Sequence, residues 1–299
     1  FIMLRVLHGV AFGMTTTVMM TYVTSYIPEG HMSEGMGYFG LGQSVAAAIG
    51  PSAGLWLMSI SGGNLAFLAG GLLLLLGIAV VGALLPEHRV EHAIQAKSMP
   101  IRFGDFIAKP AIPFAIITVA LSAANGIETS YIASYGKLLH LENAGWYFTI
   151  SAVMLFVARI LFGRVTDKKG FAWAMYPSMA LIAIAFGLLA AAPSLAVIPT
   201  LAAAAAIKAC GVGLLQPAIQ SMCIQSVPAS KRGAASSTYY IGTDLGQGTS
   251  TVAAGQLIPT VGYSGLYLVF IAPLAAVTFY NIVRKSGNHK QKQINPTET

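Results

Sequence analysis

Polar residues in this chain fall in short clusters between apolar runs too long for a soluble core. Residues 65–85 contain no ionisable side chain at all, and an apolar helix of about 20 residues is enough to cross a bilayer. Proline, glycine and charge punctuation divide the chain into about nine such spans. They are 2–27, 37–60, 64–85, 112–136, 144–163, 171–192, 196–226, 234–258 and 263–283. The one long polar connection, Pro86 to Lys109, separates three helices from six. The expected division is therefore 1–85 as part of a first bundle, 86–110 as a central loop, 111–285 as a six-helix bundle and 286–299 as a disordered basic tail.

The stretch Gly42 to Trp56, G-Q-S-V-A-A-A-I-G-P-S-A-G-L-W, puts a proline among small residues in mid-span. On its own that means a bend and a close helix contact. A second copy of its surroundings changes the picture. Gly13, Pro28, Tyr38 and Gly54 recur as Gly213, Pro228, Tyr239 and Gly255, at offsets of 200, 200, 201 and 201. Two membrane halves on one plan is the mark of a transporter built from repeats. If the halves match, three helices belong before Phe1, and the parent has twelve helices and about 90 further residues.

Composition agrees with the pattern. Of 299 residues 56% are hydrophobic and only 9% charged, with mean hydropathy +0.70, where a soluble domain carries about 25% charged residues. The net charge of +7 and pI near 9.4 would suit nucleic acid only if the basic residues formed one patch. Instead thirteen of the seventeen Lys and Arg residues occupy one alternating set of loops (around 89–109, 164–169, 231–232 and 284–292), against Lys137 alone on the other side. The positive-inside rule then places the central loop and C-terminus in the cytoplasm of a cell-membrane protein. Loop 28–36 belongs on that side yet has neither Lys nor Arg. Cys210 and Cys223 share an apolar helix without metal spacing and read as free thiols; no metal and no cofactor is expected.

Ionisable groups inside spans are functional candidates by default. Arg5, His8, Glu128, Lys208 and Asp244 are in that class. At helical spacing Arg5, His8, Thr16, Met19 and Tyr26 share a face, as do Ser122, Asn125, Glu128, Thr129 and Tyr135. Lys208, Gln216 and Gln220 form a third stripe, and Tyr240, Thr243, Asp244, Gln247 and Thr251 a fourth. Four stripes imply one polar cavity, the alternative being hydrogen-bonded packing seams. Lys208 lies about 18 Å into its span, too deep to snorkel. Glu128 or Asp244 is able to carry a proton unless held in a static pair with Lys208 or Arg5. Arg159, one turn before a basic segment, reads as a helix-end arginine snorkelling to the surface. The loop Gly163-Arg164-Val165-Thr166-Asp167-Lys168-Lys169-Gly170 suits a hinge latch, with Asp167 able to cap a helix.

These motifs resemble the major facilitator superfamily, and within it the twelve-helix drug:proton antiporter-like exporters. Arg5-Val-Leu-His8-Gly9 resembles a fourth-helix pattern R-x-x-Q-G, with His8 in place of glutamine. Ile49-Gly50-Pro51-Ser52-Ala53-Gly54 resembles the fifth-helix antiporter motif, with Ala46 and Leu55 where two glycines are usual. Gly163, Arg164, Asp167, Lys168 and Gly170 match the loop signature between helices eight and nine, which acts as a latch. The resemblance implies an all-α polytopic protein, about nine of twelve transmembrane helices being present, that works by alternating access.

Its implied partners are the bilayer, protons and a small-molecule substrate, with no nucleic acid and a monomeric state. On that plan Glu128 or Asp244 carries the proton, regulated by Arg5 and His8. Lys208, Gln216, Gln220, Asn125, Gln247 and Tyr240 contact substrate, and Gly50, Pro51 and Gly54 shape the cavity wall. A sugar or metabolite importer on the same fold is the alternative. An intramembrane enzyme would need paired metal ligands, a His/Asp cluster or a Ser/Lys dyad at membrane depth, and no such spacing occurs.

Overall fold

The computed structural model describes residues 2–84, 106–141 and 144–294, and among them the only regular structure is helical. Eight α-helices run in order: α1 Ile2–Val23, α2 Met32–Leu84, α3 Ile112–Leu138, α4 Gly145–Lys169, α5 Phe171–Ala191, α6 Val197–Gln225, α7 Arg232–Val269 and α8 Ile271–Ile294. Seven helical stretches among the described residues are long and apolar enough to cross a membrane. The polar connection falls largely on residues outside the described ones. Its end is fixed where Thr238 of α7 accepts the Ala108 N–H at 2.8 Å.

Two boundaries differ from the hydropathy reading. Spans 37–60 and 64–85 form one 53-residue helix, α2, about 80 Å long at 1.5 Å per residue. Ser61-Gly62-Gly63-Asn64 has turn composition, but none of the described side chains between Gly63 and Ala83 is buried. With no packing to reward a reversal, the helical ladder satisfies the backbone more cheaply. Likewise the last expected span is shared between α7 and α8. Gly262 interrupts the α7 ladder at φ 67° and ψ 179°, a left-handed conformation that side chains rarely adopt. The tail is also corrected: α8 continues to Ile294, because the Lys- and Gln-rich sequence has good helix propensity and no proline lies between Pro273, in the first turn, and Pro296.

α3 to α8 pack around one apolar core in which Ile127, Ile182, Phe186, Leu215 and Tyr267 are fully enclosed. Where α3 crosses α7 the contact is made by small residues. Gly242, Gly246, Ser250 and Ala254 repeat every fourth position on the buried side of α7, the small-xxx-small pattern that lets membrane helices approach closely. α1 lies against α7 and α2 against α4. Pro28 and Pro228 make the same turn, each carbonyl accepting the N–H three residues on, from His31 at 3.2 Å and Lys231 at 2.9 Å. The repeated punctuation thus marks two equivalent helix–turn–helix units, α1–α2 and α6–α7. They meet at this end, where Arg232 donates to the Thr24 carbonyl at 3.2 Å and Thr21 to Ser236 Oγ at 3.0 Å.

Candidate functional site

The four polar stripes do not converge on one cavity; the structure separates them into a wet cleft and a dry pair. The cleft lies between α1 and α2 on one side and α4, α6 and α7 on the other, with a volume of about 730 Å³. The α7 stripe supplies Tyr240, Thr243, Asp244 and Gln247, α6 supplies Gln220, and Thr16 and Met19 come from α1. Phe12, Thr15, Phe39, Gly40, Gly42, Gln43, Gly248 and Arg159 complete the lining.

Arg159 corrects the snorkelling reading. Its side chain is buried and turned away from the lipid surface toward α2 and α6. Nη1 donates to the Gly40 carbonyl and, at 2.7 Å, to Ser44 Oγ, while Nη2 donates to Gln216 Oε1 at 2.9 Å. Gln216 is therefore an orienting partner of Arg159. The sequence holds the signal for this: Arg159, Gly163 and Thr166 form one buried face of α4 at helical spacing.

The dry pair lies inside the α3–α8 bundle. Lys208 Nζ sits 2.9 Å from Glu128 Oε2, the two side chains being 7% and 5% exposed. Tyr147 and Tyr267, buried to the last ångström, lie near the same carboxylate. The structure places the two as a pair, outside the lining of the cleft. An ion pair enclosed this way is strongly coupled, since removing one partner strands the other charge. Asn125 is half-buried on α3 and does not line the cleft.

Arg5 and His8 are exposed on α1, away from the cleft lining. Gly50 and Gly54 have open space where a Cβ would stand and are not among the residues lining the cleft, while the side chain of Pro51 lies outside the described residues. The part of α2 that lines the cleft lies about two to four turns earlier, at 39–43. Cys210 and Cys223 are free thiols.

The latch segment is not a loop. Residues 163–169 form the last turns of α4, and only Gly170, at φ 84°, breaks the chain before α5. Helical geometry lets both carboxylate oxygens of Asp167 accept backbone N–H groups of α2, from Ser33 and Glu34, each at 2.9 Å. One helix thereby caps another, a charge-assisted contact at the positive end of α2. Arg164 Nε donates to Glu34 Oε1 at 2.7 Å, and His31 Nδ1 lies 2.9 Å from Oε2. Gly163 admits this crossing, because a Cβ there would stand 2.9 Å from Glu34 Cα. Lys168 is exposed, and Lys169 lies over the Trp173 ring at 4.9 Å. Loop 28–36, which has no Lys or Arg, instead contributes Glu34 as the partner of Arg164 in α4.

The Glu34 carboxyl, just before the 37–60 span, is held below its ordinary value of 4.5, first by the His31 hydrogen bond and then by Arg164. A depressed carboxylate contributes stability that is complete above its ordinary pKa and lost as pH falls through the lowered one. Arg164→Gln is expected to lower the melting temperature slightly at pH 7, by the equivalent of less than about 1 kcal/mol, since the arginine of the pair is largely exposed. The difference from wild type should close as pH is lowered past the depressed value. Parallel melting curves across pH check this, and a difference that persists in acid would remove Glu34 from the contact.

The sequence matches the profile described as Major Facilitator Superfamily over residues 1–143 and 140–298. An uncharacterized MFS-type transporter of Methanocaldococcus jannaschii is 21% identical over 294 residues, 95% of this chain and 75% of that protein. One from Salmonella typhimurium is 24% identical over 268 residues, 90% of this chain and 66% of that protein. One from Burkholderia mallei is 29% identical over 163 residues, 52% of this chain and 37% of that protein. The chain therefore spans about two thirds to three quarters of the first two relatives, and the matched segment about a third of the third.

Proposed function

The chain belongs to the major facilitator superfamily of secondary transporters, and from that premise we propose that it exports a small molecule in exchange for protons by alternating access. The observation that carries the reading is Asp244, an acid lining the cleft formed where the α1–α2 unit faces α4, α6 and α7. Of the two intramembrane acids it is the one open to water and substrate, Glu128 being engaged by Lys208. We assign the proton to Asp244 and the substrate contacts to Tyr240, Gln220 and Gln247. Glu128, Lys208 and Asn125 support the bundle, and Arg5 and His8 act on α1 outside the cleft lining.

On this proposal the protein is a monomer in the cell membrane, α1 and α2 belonging to the first bundle, α3 to α8 making up the second, and the C-terminus being cytoplasmic. The contacts Asp167–α2, Arg164–Glu34, Arg232–Thr24 and Thr21–Ser236 then lie on the cytoplasmic side. They close that side beneath the cleft, so the conformation is outward-facing and the latch must release for substrate to enter from the cytoplasm.

The test uses the intact protein in energised everted vesicles, with proton release recorded on addition of a panel of amphiphilic amines and organic acids. Asp244→Asn is expected to abolish substrate-driven proton release, while Glu128→Gln combined with Lys208→Met retains it. Loss in the second variant and survival in the first would move the proton to Glu128. Flux without proton movement in wild type would favour an importer or uniporter.

A further inference from the structure

The cleft holds two unlike charges that do not neutralise one another. Arg159, 5% exposed, has no carboxylate at ion-pair distance among the described residues. Uncharged oxygens of Gly40, Ser44 and Gln216 occupy its Nη atoms, and its buried Nε has no acceptor. Asp244, from α7, lines the same cleft, and no ion pair holds it among the described residues. A buried guanidinium balanced only by dipoles leaves a charge for something else to meet. Its planar fork fits a carboxylate or a related oxyanion.

We propose that the substrate is amphoteric, its anionic group meeting Arg159, its cationic group meeting Asp244 and its apolar body resting on Phe12, Met19, Phe39 and Tyr240. The inference rests on the cleft being the transport site. Charge bookkeeping separates it from the simpler classes. A purely cationic substrate would satisfy Asp244 but face Arg159 as a like charge. A purely anionic one would satisfy Arg159 and be repelled by ionised Asp244. Protonating Asp244 would then strengthen its binding, so proton and substrate would travel together, the opposite of exchange. With both charges present, a proton arriving at Asp244 displaces the cationic group while Arg159 keeps the anionic group in register until release. The cleft of about 730 Å³ lies within the roughly 300–1,000 Å³ range of sites for drug-sized ligands.

One scaffold in three charge states tests this: phenylalanylphenylalanine as zwitterion, its C-terminal amide as cation and its N-acetyl derivative as anion, binding being measured on the intact protein in lipid nanodiscs. The expected result is that the zwitterion binds at least about tenfold tighter than either single-charge form. Arg159→Gln should erase its advantage over the amide, and Asp244→Asn its advantage over the N-acetyl form. Equal binding of amide and zwitterion, no binding of any probe, or an Arg159→Gln effect identical for all three would overturn it. Arg159 also anchors α2, so if Arg159→Gln fails to fold, Asp244→Asn carries the test through the anion comparison. Proton release in vesicles keeps the two readings apart. Zwitterion binding with this charge pattern but without proton exchange sinks the exchange reading and leaves the site. Proton exchange driven by the amide alone does the reverse.

Discussion

Lys208→Met should cost the protein about 3–5 kcal/mol of stability, and adding Glu128→Gln should return most of it. The native pair is 2.9 Å apart and almost wholly enclosed by α3 and α6, with the rings of Tyr147 and Tyr267 close to it. Removing the lysine leaves a carboxylate in an apolar bundle with no water to take its charge. Its desolvation cost, which the partner had offset, is then fully felt. Removing both charges leaves a neutral amide beside a thioether of similar volume, which spares the bundle the cost of a stranded charge. Thermal melts of detergent-purified single and double variants read the result as a coupling between the positions. Additive losses would mean that the two side chains do not act as a pair. Near-native stability of Lys208→Met alone would mean that Glu128 is reached by water, and the proton assignment would return to it.

How far the sequence could lead is clearest at these charged positions. Hydropathy and the 200-residue repeat carried the all-helical membrane class, and the shared Pro28 and Pro228 turns show why: turn chemistry is local. Periodicity also placed Glu128, Lys208 and Asp244 on the polar faces of their helices. It could not say which faces meet. That is decided by how closely the helices approach, and so by α3 sitting against α7 and turning Glu128 inward. Arg159 was misplaced for the same reason, because depth along a helix is readable from sequence while direction around it depends on the neighbour. Its neighbour is Gly40 on α2, more than a hundred residues away. The Ser61-Gly62-Gly63-Asn64 connection shows the converse. Glycine there permits a turn, and only packing partners for residues 63–83 would impose one.

Gly246→Ala is the second large effect, expected at about 1–3 kcal/mol although it adds a single methyl group. A Cβ at Gly246 would run into the Val119 carbonyl oxygen, and it would also lie 2.9 Å from Val119 Cα and 3.0 Å from Ser122 Cβ. Two of those three atoms are backbone, so no rotamer change relieves the clash and α3 must move off α7. Gly242 and Gly126 are also tight, against Ala115 O at 2.8 Å and Gln247 O at 2.7 Å, so the separation spreads along the seam. Gly187→Ala in α5 is the control. Its Cβ meets nothing within 4 Å, and alanine is favoured over glycine in a helix by up to about 1 kcal/mol. The pair of melts should therefore move in opposite directions, Gly246→Ala down and Gly187→Ala level or up. Because α7 carries Tyr240, Asp244 and Gln247 into the cleft, the first variant should also weaken ligand binding without touching a lining residue. A Gly246→Ala protein that melts like wild type would mean that α3 and α7 do not pack at this distance, and the cleft built on their contact would have to be redrawn.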